Sequence, residues 1–135
     1  MKLWNGYGSE HSANLVLIGT FENADKAEEA VKLLQDATDV ARADEAAGRL
    51  NPGHVATRFS EGVLDLFKRT NLSLEYGNPE ELLYDFDARR EGDQVVITTE
   101  EMGLNAFIKV LLHGGAKIEL YSRHDHRGPY GRPTR

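Results

Sequence analysis

Apolar positions along this chain gather into short runs whose period changes from one stretch to the next. Leu15, Val16, Leu17 and Ile18 are consecutive, which predicts a strand over Leu15 to Phe21 with both faces covered or paired. After Asn23 the spacing becomes helical. Ala27, Val31, Leu34 and Ala41 lie near one stripe, widened by Ala30, Leu33 and Val40. This predicts a helix from Ala24 to about Ala47, capped by Asn23, closed by Gly48 and supported by a Glu28–Lys32 pair. Arg49 to Phe59, with Asn51-Pro52-Gly53, reads as a loop. Ser60 can cap a second helix over Glu61 to Arg69, with Val63, Leu66, Phe67 and Thr70 on one side. Asn71 to Asn78 shows no firm period, and Pro79 opens a turn or half-helix.

The period then drops to two. Tyr84 to Arg89 alternates apolar with charged residues, as a half-buried strand does. Glu91-Gly92-Asp93 predicts a hairpin turn, and the β-branched run from Val95 to Thr98 the returning strand. Thr98 with Glu101 has the spacing of a capping box. The helix behind it carries Leu104, Phe107, Ile108 and Leu111, and Gly114-Gly115 ends it. Lys117 to Ser122 is the last strand, with Ile118 and Leu120 facing in. The order is βαββαβ with one small extra helix. It predicts an α+β fold of the ferredoxin-like kind: a four-stranded antiparallel sheet in the order 4-1-3-2 with its main helices on one face. Strand one is then central, and strand two is an edge whose Asp85 and Asp87 deter pairing. Residues 1–122 form one domain, and 123–135 a tail rich in His, Arg, Gly and Pro.

Composition narrows the role. At 135 residues with 40% apolar and 28% charged residues, the chain suits one soluble domain. The absence of cysteine fits a reducing, cytoplasmic setting and removes thiolate chemistry. A net charge of −6 argues against nucleic acid as partner. The N-terminus lacks the apolar core of a signal peptide, and no apolar run approaches a membrane span.

The expected topology makes the first and last strands antiparallel neighbours, which brings two distant polar segments to one end of the molecule. Trp4, Tyr7, Ser9, Glu10 and His11 would meet Arg123, His124, Asp125, His126 and Arg127. Two chemistries suit this set. His124 and His126, alternating on an extended chain, could hold a divalent metal with His11 or Glu10 as third ligand. Arg123 and Arg127 offer planar donor forks to a small anion, with backbone N–H groups near Gly6 and Gly8. A solvated histidine tail beside a glycine-rich loop accounts for the same residues. Ser9, Ser12 and His11 lack the strained elbow or oxyanion hole of a serine nucleophile.

The segments WNGYGSEHSANLVLIGTF, VVITTEE and AFIKVLLHGGAKIELYS resemble a small family of uncharacterised bacterial proteins, a resemblance that implies no activity or cofactor. Two functions fit the sequence. One is a non-catalytic binding module for a small ligand or a protein partner, dimeric through its open sheet face, with Trp4, Tyr7, Ser9, Glu10, His11, Arg123 and Arg127 at the site. The other is a small metal- or histidine-dependent enzyme of hydrolase type using Glu10, His11, His124 and His126.

Overall fold

The structure, a computed structural model, describes residues 14–51, 58–100 and 103–122. Its elements in chain order are β1 (Leu15–Thr20), α1 (Ala24–Ala46), α2 (Glu61–Thr70), α3 (Asn78–Glu81), β2 (Phe86–Glu91), β3 (Gln94–Thr99), α4 (Asn105–His113) and β4 (Lys117–Ser122). The strands form one sheet in the order β2-β3-β1-β4, with every pair antiparallel. Read from the other edge, this is the strand order expected from the sequence. Among the described residues three helices, not one or two, stand between β1 and β2, so the element order is longer than plain βαββαβ.

One face of the sheet is packed. Leu15 and Leu17 of β1, Val95 and Ile97 of β3, and Leu34 of α1 share a core with Phe107, Val110 and Leu111 of α4. Phe86 and Phe107 meet with ring centroids 4.7 Å apart. Gly19 sits on this face where a Cβ would lie 3.1 Å from a Leu111 methyl and 3.2 Å from Ala116, so the missing side chain lets α4 and Ala116 after it pack close to β1. At about 0.8 kcal/mol per buried methylene, this single face is the main source of stability. The alternate positions of β1, Val16, Ile18 and Thr20, are only partly covered.

Local signals account for most boundaries. Asn23 caps α1 by accepting from the Lys26 N–H at 2.9 Å, and Ser60 caps α2 by accepting from the Val63 N–H at 3.1 Å. Gly92 supplies the positive φ, 65°, that the tight β2–β3 turn requires.

Three expectations need correction. The alternating run does not begin its strand at Tyr84: β2 starts at Phe86, and Tyr84 and Asp85 belong to the turn after α3. Glu28 pairs with Arg90 of the edge strand, at 3.1 Å, rather than with Lys32. An exposed i,i+4 pair is worth only tenths of a kcal/mol and yields to a guanidinium from the sheet. Thr98 does not open a capping box. β3 stays paired through Thr99, and α4 begins at Asn105 with Leu104 at its N-cap and no side-chain cap. An N–H of its first turn, that of Ala106, is taken instead by Glu81 Oε1 at 2.8 Å, a side chain from α3. Glu101 lies outside the described residues.

Candidate functional site

The strand register fixes one end of the sheet. Leu15 pairs with Ser122 of β4 on one side and with Thr99 of β3 on the other, and Thr99 pairs with Phe86 of β2. Four strand ends therefore form one rim. β1 begins at this rim and β4 finishes at it. The segments before Asn14 and after Ser122 are thus joined to the sheet side by side, one strand spacing of about 4.8 Å apart. This is the adjacency on which the composite site depends. The candidate side chains themselves, Trp4, Tyr7, Ser9, Glu10, His11, Arg123, His124, His126 and Arg127, lie outside the described residues.

The described half of the rim carries a cavity of about 330 Å³ lined by Asn14, Asp85, Phe86, Asp87, Thr98, Thr99 and Glu100. Its walls hold three carboxylates and no basic side chain. The Thr99 hydroxyl donates to the Asp85 carbonyl at 2.9 Å and pins the start of β2 against the end of β3. Asn14 takes a φ of 49°, a conformation asparagine tolerates, where the chain turns into β1. Sequence reasoning assigned Asp85 and Asp87 to protection of an edge and missed Glu100. The turn at Gly92 held the missing signal. Counting outward from it pairs Phe86 with Thr99, which sets Asp85 beside Glu100. Among the described residues, no three His, Cys, Asp or Glu side chains are grouped to hold a metal ion.

Several other polar groups among the described residues are engaged structurally. Asp44, 4% exposed on α1, accepts from the Ser60 hydroxyl at 2.5 Å and from Arg49 Nε at 3.2 Å. Glu80 is buried and its Oε1 accepts from the Tyr84 hydroxyl at 3.1 Å, while its Oε2, like the buried Thr38 hydroxyl, has no hydrogen-bond partner among the described residues. A cleft of about 440 Å³ between α1 and the end of α4 includes Lys26, Lys32, Asp36 and His113, of mixed sign and with Asp36 taken by Arg69 at 2.8 Å.

The family model described as a family of unknown function (DUF6375) matches residues 1–129. The chain belongs to that family. The DUF6375 match includes both segments of the proposed composite end, Trp4 to His11 and Arg123 to Arg127, so both belong to the family unit. No curated protein and no solved structure matches the chain. No helix among the described residues is long and apolar enough to cross a membrane.

Proposed function

We propose that this chain is a non-catalytic binding domain for a small anionic ligand or a protein partner. Its site is the sheet end at which the N-terminal segment and the C-terminal tail are joined. The pairing of Leu15 with Ser122 carries this reading, because it makes neighbours of two segments more than a hundred residues apart. The domain around the site reads as a ferredoxin-like core with α2 and α3 inserted before β2, in a cytoplasmic protein. Its negative charge speaks against a nucleic-acid partner.

The described residues supply the sign of one side of the site. Asp85, Asp87 and Glu100 line the rim at β2 and β3, while Arg123 follows Ser122 in the chain at β4. Asp85 and Asp87 at β2 lie three strand spacings from β4, roughly 14 Å, and Glu100 after β3 lies two, roughly 10 Å. Both exceed the screening length of about 8 Å at physiological salt, so these carboxylates do not cancel an arginine fork at the β4 edge. An anion belongs on the β4 side, held by Arg123 and Arg127. In the alternative reading, a metal- or histidine-dependent enzyme, Glu10, His11, His124 and His126 hold a divalent cation at the same end.

A thermal-shift titration of the full chain separates the two. With inorganic phosphate as probe, the wild type gains Tm by mass action and the Arg123→Ala/Arg127→Ala variant does not. A rise with zinc that His124→Ala and His126→Ala both abolish would favour the enzyme reading instead. No shift with phosphate, or an equal shift in the arginine variant, would contradict an anion site.

A further inference from the structure

The strand register also determines which side chains share the face of the sheet that no described helix covers. They fall into three rows across the order β2-β3-β1-β4. The first row is Asp87, Thr98, Val16 and Tyr121. The second is Arg89, Val96, Ile18 and Glu119. The third is Glu91, Gln94, Thr20 and Lys117. The centre of this face is apolar: Ile18 and Val16 are half-buried, Val96 is buried between its neighbours, and Tyr121 stands 47% exposed beside them. Charges occupy only the two edge strands. Within single strands, Arg89 pairs with Asp87 and Glu91, and Glu119 accepts from the Tyr121 hydroxyl. Exposed pairs of this kind are cheap to exchange.

We propose that this face binds a second copy of the chain about a two-fold axis running parallel to the strands between β3 and β1. Such an axis keeps each row and exchanges its ends. Arg89 then faces Glu119 of the other copy, Glu91 faces Lys117, and Asp87 faces the Tyr121 hydroxyl. In the middle, Val96 faces Ile18 and Thr98 faces Val16. Every edge position meets a group of opposite sign or a donor, and the apolar residues meet one another. The other in-plane axis, perpendicular to the strands, exchanges the outer rows instead. It sets Arg89 against Arg89, Glu119 against Glu119 and Asp87 against Glu91, which repel. The charge pattern thus selects one of the two face-to-face arrangements, and aligned packing of twisted sheets accommodates it.

The footprint sets the strength. Four strands at roughly 4.8 Å by six residues at roughly 3.4 Å cover about 400 Å² of flat area per copy. A standard interface buries about 800 Å² per partner, so this dimer is concentration-dependent rather than obligate. The surface adjoins the sheet-end site and shares Asp87 and Thr98 with its rim, but Arg89 and Glu119, on which the test below rests, lie outside that rim.

Sedimentation velocity of the full chain over the micromolar to submillimolar range tests it. The wild type shifts from monomer toward dimer as concentration rises. Arg89→Glu and Glu119→Arg each weaken association about tenfold, because each places like charges at two symmetric positions. The double variant, which carries the same pair reversed, recovers wild-type association. Both side chains are exposed, so neither change touches the core. A wild type that remains monomeric throughout would mean that something other than a second copy covers this face, and would overturn the proposal. Single reversals without effect, or a double variant no better than the singles, would overturn the face and the axis.

Discussion

The Tyr121 hydroxyl donates to Glu119, two residues back on the same strand, at 2.6 Å. The carboxylate holds the neutral phenol in place and repels the phenolate. Tyr121 therefore titrates above the usual tyrosine value, with the hydrogen bond as the first cause and the charge of Glu119 as the second. The unfolded chain releases this proton at lower pH than the folded one. The contact consequently stabilises the fold below the ordinary tyrosine pKa, and its contribution is lost as pH rises through the higher folded value. In an ultraviolet titration of the wild type against Tyr121→Phe, the difference reports this one phenol. Glu119→Gln is expected to bring its midpoint down toward the ordinary value; an unchanged midpoint would show that Glu119 does not set it. The same short-range logic governs Arg89, whose guanidinium is held above its ordinary pKa chiefly by the Glu91 hydrogen bond and stays charged at every accessible pH.

Between elements, the decisive contacts join residues that local sequence does not relate. Asp44 near the end of α1 and Ser60 at the start of α2 share a hydrogen bond, while the Ser60 oxygen also accepts from the Val63 N–H. One hydroxyl thus caps a helix and fastens it to its neighbour. Asp44→Ala is expected to cost about 1–3 kcal/mol, because Ser60 and Arg49 lose a buried partner. Ser60→Ala is expected to cost about 1–2 kcal/mol as a lost cap. In urea denaturation the double variant should fall short of the sum, since both changes delete one shared bond; strict additivity would show that the two residues act separately. Asn23 and Ser60 were legible as caps because their partners lie three residues away, and Gly92 because a two-residue turn leaves little choice of residue. The start of α4 was not legible. Its first-turn partner is Glu81, 25 residues upstream, whereas Thr98 and Glu101 offered a nearer pattern that β3 had already claimed. The Glu28–Arg90 pair was hidden in the same way, because an edge strand reached a helix that periodicity alone treats as solvated.

At the scale of the whole molecule, the continuous apolar run of β1 made its central place in the sheet readable, and from it the pairing that sets Leu15 beside Ser122. The residues proposed to bind a ligand fall on segments outside the described structure, and their composition admits both an anion and a metal. The sheet contributes three carboxylates at one corner of the rim and a charge pattern on its open face that suits a second copy. Both proposals depend on β4 lying against β1 in the observed register. The chain has no cysteine, so a disulfide placed across that pair reports it without interference. Val16 and Tyr121 are directly opposed and neither is buried in the core. Mild oxidation of a Val16→Cys/Tyr121→Cys variant is predicted to give an intramolecular disulfide, read as a monomer two mass units lighter with no titratable thiol. Two free thiols under the same conditions would separate the chain ends and leave no composite site.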